Sequence, residues 1–208
     1  MERKNHSEGG TAVRAGWPWT GKTIRLASAS PRRLALLQQV GIEPQVWPVI
    51  IDEHPRSGEL AEHYVARMAQ EKVRMALDPG ADFALGADTA VVLNDTILGK
   101  PADAGQAHRM LTLLSGQRHQ VLTGVALYRL HNRHGLTRVV ATDVWFKELS
   151  TQDITTYIAT GEPMDKAGAY GIQGIGAFMV RRIEGSFSGV VGLPLMETLA
   201  MLSELMED

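Results

Sequence analysis

Residues 26–41, LASASPRRLALLQQVG, constrain the local course of the chain more tightly than any other stretch. A short strand ends at Leu26 and Ala27, a serine-rich turn follows, and Ser30 and Pro31 open a helix. Serine is a favoured N-cap, and proline suits the first helical position, where its missing N–H is no loss. Leu34, Leu37 and Val40 form an apolar stripe, and Gly41 stops the helix. Arg32 and Arg33 fall in the first turn, the positive end of the helix dipole, where each exposed cation is disfavoured by about 0.3–1 kcal/mol. Two readings follow. Either both guanidinium groups are simply solvated, or an anion sits among them, the free backbone N–H groups and the hydroxyls of Ser28 and Ser30.

A competing phosphate motif lies just upstream. Gly16 to Thr23, GWPWTGKT, satisfies the P-loop pattern G-x-x-x-x-G-K-[ST] letter for letter. A P-loop needs a buried strand before the first glycine and a helix starting at the lysine. Here HSEGGTAVRA precedes it, a poor strand, and TIRLASASP follows, with Pro31 where a helix interior would stand. Proline there costs about 3 kcal/mol. The segment after Thr23 therefore reads as a strand. Residues 1–22 read as a flexible N-terminal extension ahead of one domain over residues 23–208.

Strand and helix signals alternate along the rest. PQVWPVIIDEHP reads as a strand ending at Asp52 and Glu53. Residues 59–77 read as a helix whose stripe runs through Ala61, Val65, Met68 and Ala76. Lys72 falls on that stripe and either snorkels out or points into a cleft. DFALGADTAVVLNDTILGKP reads as two strands joined by a turn at Asn94 and Asp95. Asp88 interrupts its apolar run; a buried carboxylate must be paired, protonated or bound to metal, unless it is a turn aspartate bonded to backbone N–H groups. The hairpin brings Lys100 to the same end of the sheet as Asp88.

DAGQAHRMLTLLSG reads as a helix. HQVLTGVALYRL and LTRVVATDVWFKEL read as paired strands. Ser150 and Asp153 form a capping box, and LPLMETLAMLSELM is a C-terminal helix. Eight of the 21 glycines fall between Gly161 and Gly192, a density that disfavours regular structure. The class is α/β.

Composition removes several functions. Net charge is −2, from 21 basic and 23 acidic residues, so a nucleic-acid partner is not expected. Without cysteine there is no disulfide framework and no thiol nucleophile. No apolar run approaches a membrane span of about 20 residues, and a cytoplasmic location fits. The seven histidines show no metal-binding spacing; His54, His63 and His119 read as surface or structural groups.

SASPRR, GADTAVV, LGKP, LSGQRHQVLTGVAL, DKAGAYGIQG and EGSFSGVVGLP, in this order across residues 24–203, together resemble the Maf family of nucleoside triphosphate pyrophosphatases. The resemblance implies two lobes around a mixed, bent β-sheet flanked by helices, with the active-site cleft between them, as in the inosine triphosphate pyrophosphatases. It implies hydrolysis of a nucleoside triphosphate to the monophosphate and pyrophosphate, a divalent metal cation (Mg²⁺ or Mn²⁺), and a homodimer. DKAGAYGIQG looks like the branch that prefers dTTP and UTP. Phe187 and Gly189 stand where the family often has tyrosine and asparagine.

Carried over position by position, Arg32, Thr89 and Gln173 match the specificity positions, and Asp88 matches the proton acceptor. Arg33, Glu53, Lys72 and Lys100 match charged cleft residues, and Ser30 matches the phosphate-loop serine. On this reading Asp88 and Glu53 hold the metal and one of them orients the attacking water. Gln173 either pairs with the base, whose N3–H and carbonyl suit an amide, or bonds its own loop. Two alternatives stay open: the same chemistry on 7-methyl-GTP or another modified nucleotide, and a non-catalytic nucleotide-binding regulator.

Overall fold

The computed structural model describes residues 16–77 and 80–207. Most of the expected N-terminal extension, residues 1–15, lies outside these. Gly16 to Thr23 forms a turn that leads into a strand, and not into a helix. Trp17 and Trp19 stack with ring centroids 5.0 Å apart, and Trp19 is buried in the core.

Among the described residues, seven strands make one mixed sheet. They are β1 (Ile24–Leu26), β2 (Gln45–Val46), β3 (Phe83–Leu93), β4 (Thr96–Leu98), β5 (Arg118–Arg129), β6 (His134–Phe146) and β7 (Val180–Glu184). Their order is β2-β1-β3-β5-β6-β7, with β4 on β3. β1 pairs in parallel with β2 and β3; the other pairings are antiparallel. The helices are α1 (Pro31–Gln39), α2 (Ala61–Arg74), α3 (Ala104–Leu114), α4 (Thr151–Ala159), α5 (Phe187–Val191) and α6 (Leu195–Glu207).

Most elements form for the reasons visible in the sequence. Asn94 and Asp95 both take positive φ, as a tight hairpin between right-twisted strands requires. Asp103 caps α3 by accepting from the Gln106 N–H, and the Ser150–Asp153 capping box opens α4.

Three expectations need correction. PQVWPVIIDEHP is strand only at Gln45–Val46, because Pro48 has no N–H to continue a ladder and residues 47–58 run irregularly. The helix expected over 59–77 is shorter, Ala61–Arg74. The glycine-rich stretch is not wholly irregular: it holds three short 3₁₀ turns, then β7 and α5.

Alternation along β3 and β5 sorts the core. On one face Ala84, Ala90, Val92, Leu122 and Ala126 pack under α2. Gly86 and Gly124 let that helix come close: a Cβ on Gly124 would lie 2.3 Å from the Val65 carbonyl oxygen, and one on Gly86 2.5 Å from that of Ala69. On the other face the apolar residues form two clusters. Leu85, Ala87, Val125 and Leu127 join α1 and α6; Val91 and Val121 join α3 and α4. Between the clusters lies a polar seam of threonines, with half-buried Thr89 directly opposite buried Thr123 on neighbouring strands and buried Thr142 on β6. The seam divides two lobes that share one sheet.

Candidate active site

The cleft lies where one edge of β3 loses its neighbours. β1 pairs with β3 only as far as Leu26 opposite Leu85, and β4 begins pairing at Leu98 opposite Val91. Residues 86–90 therefore have no strand on that side among the described residues. Into this gap come the Ser28–Ser30 turn from one end and Gly99 and Lys100 from the other, all lining a cleft of about 860 Å³. Every one of Ser28, Ser30, Arg32, Arg33, Glu53, Lys72, Asp88, Thr89, Lys100 and Gln173 lines it.

Three charges form its floor. Asp88 points toward α2 and accepts from the Lys72 Nζ at 2.6 Å. The same ammonium lies 2.7 Å from Glu53 Oε1, and Lys100 Nζ lies 3.5 Å from Glu53 Oε2. Lys72 and Asp88 are buried. Lys72 thus points into the cleft and does not snorkel away. Burial alone would raise the Glu53 carboxyl; the ammonium groups of Lys72 and Lys100 more than offset this and hold it below the usual carboxylate range.

Asp52, the neighbouring acid, turns outward to the His54 ring and backbone N–H instead. Glu53 is fixed from below, since Tyr64 donates to its carbonyl at 2.9 Å and Arg67 donates to the His54 carbonyl at 3.2 Å. An irregular loop is thereby tied to α2.

The turn before α1 supplies the opposite wall. Ser30 stands at the N-cap, but its hydroxyl makes no capping bond. The first helical bond runs from the Leu34 N–H to the Ser30 carbonyl, so the Arg32 and Arg33 N–H groups precede the ladder. Arg33 donates to the Gly192 carbonyl at 2.8 Å and to Ser28 Oγ at 3.1 Å. Burial lowers the Arg33 guanidinium from its usual value, with the charges of Asp88 and Glu53 pulling it back up. Arg32 crosses the cleft mouth to Asp165 at 3.1 Å.

Gln173 stands on the loop Gly171–Gly174 and is exposed, and its amide bonds no other described residue. Glu162 shapes that loop: its carboxylate accepts from the Ile175 and Gly176 N–H groups at 2.8 and 3.1 Å and from Tyr157 Oη at 2.9 Å. Asp165, Lys166 and Tyr170 also line the cleft and were not singled out from the sequence. The adjacent charges Asp165 and Lys166 inside a glycine-rich run were the available signal.

Hydroxyls and free N–H groups at a helix start, five cations and three carboxylates around one recess define a polyphosphate-handling α/β protein. The chain belongs to the Maf family: the Maf-like protein family matches residues 23–205. A relative in Salmonella typhimurium named dTTP/UTP pyrophosphatase is 54% identical over 184 residues, 87% of this chain and 92% of that protein. A protein of the same name in Myxococcus xanthus is 54% identical over 179 residues, 85% of this chain and 89% of its own length. The solved HAM1 protein from Coxiella burnetii shares the fold, with a TM-score of 0.50 at 19% identity over 88% of this chain and 99% of that one.

Proposed function

We propose that this chain hydrolyses dTTP and UTP to the nucleoside monophosphate and pyrophosphate. The observation that carries the reading is the convergence of Asp88, Glu53, Lys72, Arg33 and Lys100 on one recess beside the start of α1. The names of the relatives, at 54% identity over most of the chain, support the choice of substrate.

A divalent cation fits the acids present. The carboxylates of Asp88 and Glu53 aim at one spot, marked by the Lys72 ammonium, and are hard oxygen donors. Among the described residues no group of three or more His, Asp or Glu makes a closed cage. Magnesium and manganese suit such a site, since one or two carboxylates leave positions for water and phosphate oxygens. Asp88 and Glu53 would hold the ion, which when bound neutralises phosphate charge and acidifies water.

The protein's own groups do the rest. Arg33, Lys100 and the N–H groups at the start of α1 bind the triphosphate and set its α-phosphorus near Asp88. A water oxygen bonds to that phosphorus while Asp88 accepts its proton. The bond from the α-phosphorus to the bridging oxygen breaks, and pyrophosphate leaves with its charge balanced by Arg33 and Lys100. Positioning and charge stabilisation account for most of phosphoryl transfer, so no covalent nucleophile is needed.

Gln173 accepts from N3–H and donates to a carbonyl of uracil or thymine, which cytosine cannot match because it has no N3–H. Pyrophosphate release from UTP, dTTP, CTP, GTP, ATP and 7-methyl-GTP, with and without a chelator, tests the reading. UTP and dTTP should exceed CTP by at least about fivefold, the cost of a polar group left unpaired where the bound base covers it. Release from none of them, or fastest release from 7-methyl-GTP, contradicts it.

A further inference from the structure

Thr89 and Lys100 line the same cleft, yet they are not equivalent partners for a nucleotide, and the reason lies one strand deeper. The Thr89 and Thr123 hydroxyls are 3.0 Å apart, and Thr123 Oγ1 lies 2.8 Å from the Gly189 carbonyl oxygen. Thr123 is fully buried, with no water to exchange for either contact. A carbonyl only accepts, and a hydroxyl carries one proton. The Thr123 proton is therefore spent on Gly189. Turned the other way, it would leave two oxygens facing each other at 2.8 Å in a dry site. Thr123 can then meet Thr89 only as an acceptor, and the Thr89 proton must point at Thr123, away from the cleft.

We propose that Thr123 fixes the hydrogen-bond polarity of Thr89, making its hydroxyl an acceptor toward the bound nucleotide. This rests on the nucleotide reading above. Phosphate oxygens are acceptors only, so Thr89 takes no part in gripping the triphosphate. It faces a donor on the nucleoside other than the base N3–H, which Gln173 takes, and that donor is the sugar 3′-hydroxyl. The phosphate grip then belongs to Arg33, Lys100 and the turn before α1. Thr123 touches no ligand; it is a positioning residue for specificity, set by the polar seam that separates the two lobes.

The test is calorimetric binding of uncleavable nucleotides, each with a methylene between the α- and β-phosphates. UTP, CTP and 3′-deoxy-UTP forms are titrated with Mg²⁺, beside inorganic triphosphate. The wild type should bind the UTP form more tightly than the 3′-deoxy form, and that margin reads the Thr89 contact; the CTP form reads the Gln173 contact separately. Thr123→Val frees the Thr89 proton, so that margin should shrink about fivefold to tenfold, while Thr123→Ser keeps it within about twofold. Thr89→Val, which leaves the Thr123 bond to Gly189 in place, should lose the same margin. Inorganic triphosphate should bind all four proteins alike.

No margin in the wild type, an unchanged margin in both valine variants, or a loss of triphosphate affinity in Thr89→Val equal to the nucleotide loss overturns the proposal. Turnover of UTP, measured separately, stands or falls apart from these affinities.

Discussion

At the scale of single residues, the site is a balance of charges that cannot be buried alone. Asp88 is buried with Lys72 at 2.6 Å, and Glu53 closes the triangle at 2.7 Å. Asp88→Asn keeps an acceptor for the ammonium and removes the proposed proton acceptor. Turnover should fall by about 10²–10⁴ with the melting temperature nearly unchanged; near-normal turnover contradicts the assigned role. His119 makes the opposite kind of prediction. It is buried in contact with Phe146, and its Nε2 lies 2.8 Å from Tyr170 Oη. Burial lowers its pKa from 6.5 to about 4. The unfolded chain therefore takes up this proton first as pH falls. Stability from this group is complete above pH 6.5 and is lost between there and about pH 4, on the order of 3 kcal/mol in all. Denaturant unfolding from pH 7 to 4.5 should show that decline, and His119→Gln should flatten it; an equal slope in the variant rules His119 out as its source.

At the scale of elements, α2 is the part on which the site depends. It carries Lys72, holds the Glu53 loop through Tyr64 and Arg67, and lies against β3 and β5 over two glycines. Gly124→Ala places a methyl carbon 2.3 Å from the Val65 carbonyl oxygen, a backbone atom that moves only if the helix lifts. Both melting temperature and turnover should drop, and a variant with unchanged values for both shows that α2 can shift without cost to the site. Elements with a clean period were legible beforehand: α1, α3, α4, α6 and the β5–β6 pair each repeat one apolar spacing and end on a recognisable cap or turn. The loop 47–58 was not, because its run of Val49, Ile50 and Ile51 imitates a strand while Pro48 denies it a ladder. β7 and α5 were hidden among glycines. The Ser186 cap on the Gly189 N–H, which starts α5, depends on contacts with β6 rather than on any local period.

At the scale of the whole molecule, two hydrophobic clusters on one sheet face leave a polar seam between them, and the cleft opens where β3 lacks a neighbour. The residues of the site come from six separate stretches of chain, from Ser28 to Gln173. Their chemistry could be listed from the sequence, since a carboxylate within an apolar strand and arginines at a helix start are each anomalies that need a partner. Their convergence could not, because it depends on β1 ending at Leu26 and β4 ending at Leu98, a matter of strand length and register. Asp165 and Lys166 went unmarked for the same reason, as only the folded 3₁₀ turn brings Asp165 to Arg32. The central claim is that this recess presents water to the α-phosphorus and releases pyrophosphate intact. Hydrolysis of UTP in ¹⁸O-enriched water tests it most directly by mass spectrometry of the products. The heavy oxygen should appear in UMP and be absent from pyrophosphate; label in pyrophosphate, or release of orthophosphate in its place, contradicts the account.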